Sequence, residues 1–270
     1  MYTAYAPAGR RKIVTATVNT NPATGPNRSG HDRHRHYRYY DFLMVAFVTV
    51  LLCSNLIGPA KVCAIDLTWL PLIGGVLVFG AGNIFFPISY IFGDVLTEVY
   101  GYARARKVIW AGFGAMIFAS SMAFVIISLP PAASEPFNAT LQPALVTVFG
   151  NTYRIVIGSM LAFWAGDFVN AFIMAKMKLL TRGRYLWTRT IGSTIGGQAV
   201  DSMIFYPIAF YGIWESGTLL RVIVFNCLFK IMVEAIMTPV TYAVVGFLKR
   251  REQEDFYDTD TNFTPFSIKD

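Results

Sequence analysis

Three short stretches of this sequence share one arrangement: glycine, polar, any residue, aliphatic, polar. They are Gly93-Asp94-Val95-Leu96-Thr97, Gly166-Asp167-Phe168-Val169-Asn170 and Gly197-Gln198-Ala199-Val200-Asp201. On a helix the two polar side chains of each stretch share a face, and the glycine ahead of them lets a neighbouring helix approach closely. Glu98 extends the first face by one turn. A further stripe, Asn226, Lys230 and Glu234, climbs an otherwise apolar run. Lys230 can pair with Glu234 along that helix, or with Asp167 or Asp201 across a bundle. Carboxylates, carboxamides and one ammonium in this pattern suit the binding of a small polar molecule. They do not suit bond breaking. The three histidines, His31, His34 and His36, sit together near the N-terminus among arginines, so neither a His-ligated zinc site nor a Ser–His pair can form within the apolar runs, and no Gly-x-Ser-x-Gly elbow occurs. No catalytic residue, metal or cofactor is expected. Cys53, Cys63 and Cys227 lack metal-ligand spacing and read as small apolar residues.

The elements that must carry these residues are membrane helices. The 270-residue chain is 54% hydrophobic and only 14% charged, against about 25% charged in soluble domains. Its apolar residues fall in runs near the ~20 residues that cross a hydrocarbon core. The fold class expected is all-α, a polytopic bundle of six transmembrane helices at roughly 42–60, 69–88, 107–129, 154–176, 191–213 and 219–247. Residues 83–100 are too polar for an ordinary span and read as an irregular end of the second helix, bent at Pro87. Residues 1–40 read as a disordered basic cytoplasmic tail without the apolar core of a secretory signal, 41–248 as the transmembrane domain, and 249–270 as a cytoplasmic C-terminal tail.

The net charge of +7 is explained by orientation. Nineteen of the 23 lysines and arginines fall on one side of such a topology, in the two tails and in the stretches 104–107 and 176–189. Lys61, Arg154 and Arg221 fall on the other side, and Lys230 lies within a span. The positive-inside rule then places both termini in the cytoplasm. The partners expected are the lipid bilayer and a small-molecule heterocyclic substrate, not nucleic acid; a homo-oligomer is compatible with the pattern.

A charged side chain at the centre of a span costs about 2.5–3.5 kcal/mol on insertion scales, and interhelical hydrogen bonds return only about 0.6 kcal/mol each. Asn55 and Asn83 fit simple helix–helix hydrogen bonding. Asp94, Glu98, Asp167, Asn170, Gln198, Asp201, Lys230 and Glu234 together call for a wet, substrate-receiving cavity. Gly192-Ser193-Thr194-Ile195-Gly196 has helix-packing spacing. Trp69, Trp110, Trp164, Trp187 and Trp214 mostly lie near span ends, as an interfacial belt would. Phe85, Phe86, Tyr90 and Phe92 flank Asp94 and read equally as packing or as a stacking surface for a flat ring.

The stretch from Pro87 to Arg106 (PISYIFGDVLTEVYGYARAR) resembles the vitamin uptake transporter family. Residues Arg189–Ser202 (RTIGSTIGGQAVDS) add a second match and Gly166–Asn170 a weaker third, within a resemblance covering about 42–248. It implies a bacterial inner-membrane transporter importing 7-deazaguanine precursors of queuosine for salvage into tRNA modification. The edge of such a base would meet Asp94, Glu98, Asp167, Gln198 and Asp201. An alternative within the same fold is a substrate-binding membrane subunit that works with a separate ATP-driven module.

Overall fold

The computed structural model describes residues 37–57, 62–66, 76–80, 85–150, 153–212 and 215–267, and from Tyr37 onward the chain forms one compact unit. Helix α1 (Tyr40–Leu52) runs into a π-helical turn, Cys53–Ile57. Strands β1 (Val62–Asp66) and β2 (Val76–Gly80) pair antiparallel, Val62 opposite Gly80 and Asp66 opposite Val76. Helix α2 (Phe86–Val95) continues as a π segment, Leu96–Tyr100. Then follow α3 (Tyr102–Ser128), α4 (Asn138–Phe149), α5 (Tyr153–Leu180), α6 (Leu186–Phe210) and α7 (Ser216–Glu252).

Three stretches, Tyr102–Ser128, Arg154–Leu180 and Val222–Glu252, are long and apolar enough to cross a membrane. Burial is inverted relative to a water-soluble domain. Leu228, Met232 and Ile236 form an exposed row along α7, and Phe118 and Phe124 stand out from α3, while Asp94, Glu98, Arg189 and Glu234 are fully enclosed. An apolar exterior around ionic groups is stable only where hydrocarbon is the outer solvent. The chain is an all-α membrane protein.

Two expectations need correction. The apolar run at 69–88 does not form a second spanning helix: residues 76–80 are a strand, and the helix begins only at Phe86. Val76 and Val78 favour the extended chain, and Gly74, Gly75, Gly80 and Gly82 disfavour helix. Pro87 bends nothing. It stands in the first turn of α2, where a missing N–H costs no hydrogen bond. Residues 86–95 are therefore a regular helix, and the departure from α geometry comes later, at Leu96–Tyr100. The connection after α3 also holds a short helix, α4, none of whose side chains is buried.

The tails are more ordered than expected where they are described. Tyr37 is buried, and the backbone N–H of Tyr39 donates to Glu252 Oε1 at 2.7 Å. The remaining N-terminal residues, 1–36, lie outside the described residues, as do Lys61, Trp69, Asn83 and Trp214. Beyond α7 the chain folds back. Asp258 accepts the N–H of Tyr102 with both carboxylate oxygens (3.1 and 3.2 Å), capping α3 from a remote position. Gly101, at φ +87°, leaves room there for the Phe256 ring, which any Cβ would strike. Arg106 donates to the carbonyls of Asn262 (2.7 Å) and Thr264 (3.0 Å), and Phe266 packs against Trp110 and Trp164.

Candidate functional site

Helices α5 and α6 form the closest pair in the bundle, and the motif glycines are where they touch. A Cβ on Gly197 would stand 2.9 Å from the Gly166 carbonyl oxygen; one on Gly166 would stand 3.0 Å from Cβ of Asp201. Farther along, Gly192 faces Met177 and Gly196 faces Ile173, as the helix-packing spacing predicts. This crossing sets Asn170 of α5 against Gly197 of α6 and brings Asp167 near Asp201. Asp167 lies within electrostatic reach of Asp201 and of Lys230 on α7, and Lys230 Nζ binds Asp201 Oδ2 at 3.1 Å. Of the three partners offered to Lys230 by its sequence, the one it binds is Asp201, across the bundle.

Asp94 enters the same cluster from α2. Asn170 Nδ2 donates to its Oδ1 at 3.2 Å. Its carboxyl lies within electrostatic reach of that of Glu234 on α7. Neither oxygen of Glu234, nor Oδ2 of Asp94, has a protein donor among the described residues. Both side chains are completely enclosed.

Glu98, one turn beyond Asp94, is in a different setting. Its carboxylate takes a bidentate pair from Arg189 (Nε to Oε2 3.1 Å, Nη2 to Oε1 2.8 Å) and Lys249 Nζ at 2.6 Å, with Lys178 Nζ at 3.7 Å. Lys178 is held in turn by the Glu98 carbonyl (2.6 Å), Asp255 Oδ1 (2.6 Å) and the Phe256 carbonyl (2.8 Å). Lys249 also reaches Asp255 at 2.8 Å. Burial alone would push the Asp255 carboxyl up; Lys178 and Lys249 hold it below its ordinary value of 3.8. This five-charge cluster ties the π segment of α2 to α5, α6, α7 and the returning tail.

One cavity borders these residues and another lies apart from them. A void of about 20 Å³ touches Gly93, Thr97, Asp167 and Asn170, room for about one water. A larger space of about 570 Å³ opens between the π end of α1 and helices α3 to α6, near Asn55, Ser120, Ser159 and Phe205. Asn55 itself accepts a 2.8 Å hydrogen bond from Ser159, the helix-to-helix role its sequence suggested.

Residues 80–244 match the family model described as "putative vitamin uptake transporter". The chain belongs to that family. It is thus a membrane transporter and not an enzyme. It is 30% identical over 226 residues to a Bacillus subtilis protein named "probable queuosine precursor transporter", covering 78% of this chain and 95% of the relative. To the Escherichia coli "queuosine precursor transporter" it is 24% identical, covering 66% of this chain and 71% of that one. No solved structure matches it significantly.

Within the transporter, Asn170 of α5 binds Asp94 of α2, Lys230 of α7 binds Asp201 of α6, Asp167 lies within electrostatic reach of that ion pair and Glu234 of Asp94, and Gln198 is buried on α6. Glu98 is adjacent, but its oxygens are taken by cations. Asn226 donates to the Val222 carbonyl of its own helix at 3.0 Å. Tyr90, half-buried with its hydroxyl oxygen enclosed, lies within electrostatic reach of Asp201, Asp167 and Glu234. Sequence reading missed the partners of Glu98. Arg189, Lys178 and Lys249 were counted as orientation charges, and the available signal was the placement of each at the very end of a long apolar run.

Proposed function

We propose that this chain imports queuosine precursors of the 7-deazaguanine class across a bacterial inner membrane. The observation that carries the reading is the convergence of Asp167, Asn170, Gln198, Asp201 and Lys230 where α5, α6 and α7 meet. A guanine-like edge offers N–H donors that a carboxylate accepts in pairs and a carbonyl that an ammonium or carboxamide meets. Asp201 is the residue we assign to the donor edge, with Lys230 released to the carbonyl when substrate displaces their ion pair, and Gln198 and Asn170 completing the hydrogen bonds. The names of the Bacillus subtilis and Escherichia coli relatives support the substrate class. The void of about 20 Å³ beside Asp167 is far below the roughly 300 Å³ of a small-molecule pocket. Substrate entry therefore requires the helices to part, as alternating access demands.

In this reading six helical elements lie in the membrane. The half-length α2 with its π extension takes the place of the second full span, and both termini are cytoplasmic. A reporter fused at the C-terminus is expected to be active on the cytoplasmic side only; periplasmic activity would overturn the orientation.

The function is tested in a strain unable to make the precursor, supplied with limiting defined deazaguanines and read out as queuosine in tRNA. Wild-type protein restores the modification and Asp201→Asn abolishes it while still inserting in the membrane. Full salvage by Asp201→Asn would remove the site assignment, and no salvage by wild type would remove the substrate class. Purified protein in liposomes is expected to transport unaided; a requirement for added ATPase subunits would favour the binding-subunit alternative.

A further inference from the structure

The ionic groups inside this bundle are not equally compensated. Asp201 has Lys230 at 3.1 Å, and Glu98 has an arginine and two lysines. Asp94 and Glu234 have each other. The groups facing them are Asp167 from α5, Glu98 from the next turn of α2 and Tyr90 from the turn before, the last also facing Asp201. Lys230, one turn from Glu234 on its own helix, is drawn to Asp201 instead. Among the described residues the neutral Asn170 donates to Asp94 Oδ1, and the other three carboxyl oxygens have no protein donor.

Two carboxylates within electrostatic reach of each other, both fully enclosed, short of donors and surrounded by other acids, cannot both carry charge: their repulsion and the loss of hydration add. We propose that Asp94 and Glu234 form a proton-binding site, one proton held between facing oxygens of α2 and α7, whose loading and release couple the movement of those helices to transport. Loading forms one O–H bond on either carboxylate and releases nothing; unloading leaves a second negative charge that drives α2 and α7 apart. The inference rests on the transport reading for its coupling, but not for the proton site itself.

The site is tested first without substrate, by infrared difference spectroscopy of the purified full chain titrated across neutral pH. The expected result is a carbonyl stretch of a protonated carboxyl group at neutral pH, lost in Glu234→Gln and in Asp94→Asn. Its absence from the wild type, or its persistence in both variants, would overturn the proposal. Coupling is then tested in proteoliposomes with radiolabelled 7-deazaguanine. For one proton per substrate, an acid-outside gradient of about one pH unit supports about tenfold accumulation, collapsed by a protonophore. Glu234→Gln is expected to flatten the pH dependence of whatever uptake it keeps. Exchange of the deazaguanine that ignores the proton gradient, or follows a sodium gradient at equal pH, would overturn the coupling. Failure of any deazaguanine to exchange would instead remove the substrate assignment, leaving the infrared result to decide the proton site.

Discussion

Asp94 and Glu98 stand one turn apart on the same helix, both fully enclosed, and their surroundings are opposite. Glu98 is surrounded by guanidinium and ammonium groups from three helices; Asp94 faces a second acid and a carboxamide. A carboxylate matched by cations is a rivet: its charge is permanent and its removal leaves other buried charges stranded. A carboxyl matched by another acid can change its charge, and that makes it suitable for moving parts. The pattern of charges on a membrane helix therefore says less than what each charge meets.

The strongest way to break this contrast is to neutralise each acid in turn. Glu98→Gln strands Arg189, Lys178 and Lys249 around one remaining carboxylate, Asp255, and is expected to cost about 3–5 kcal/mol. Asp94→Asn should leave the melting temperature in detergent within a few degrees of wild type. Equal losses of thermal stability for the two would erase the distinction. A smaller effect is expected at the α5–α6 crossing. Gly197→Leu forces a side chain into the Gly166 backbone, with about 1–3 kcal/mol of overpacking and loss of uptake. Uptake unchanged in that variant would mean the crossing does not build the site.

The Lys230–Asp201 pair can be sharpened by a double-mutant cycle. Asp201→Asn and Lys230→Met together should be less destabilising than the sum of the single changes, with a coupling of about 0.5–3 kcal/mol read from denaturation midpoints. Additivity would mean the ion pair contributes nothing. The smallest effect concerns the tail. The depressed Asp255 carboxyl contributes stability that is present above its unfolded value and is lost as pH falls through its lower folded value. Protease cleavage just after residue 252 should accordingly accelerate only under acid conditions, and should be fast already at neutral pH in Asp255→Asn. Cleavage independent of pH in the wild type would count against the latch.

The membrane class was legible in the sequence, and so was the unusual set of polar residues within its apolar runs, because insertion costs make such residues informative at any spacing. The choice of Asp201 over Glu234 as the partner of Lys230 was not, since it depends on how α6 and α7 rotate against each other. The residues that hold Glu98 escaped for a related reason: a lysine at a helix end obeys the positive-inside rule whether it meets lipid headgroups or a buried acid. The β1–β2 hairpin escaped because a short apolar run reads equally as strand or helix, and the glycines around it were discounted.

The returning chain end has a consequence for how this protein is made. Glu98 must enter the bilayer while Lys249, 151 positions downstream, is still unsynthesised, and Asp255 later still. The α2 segment therefore waits, incompletely neutralised, until α7 is threaded and the strap from Asp255 to Phe266 docks. Shortened products that stop before Lys249 carry an unfinished ionic cluster at the membrane surface, a defect that quality-control proteases of the inner membrane can read without inspecting the rest of the bundle.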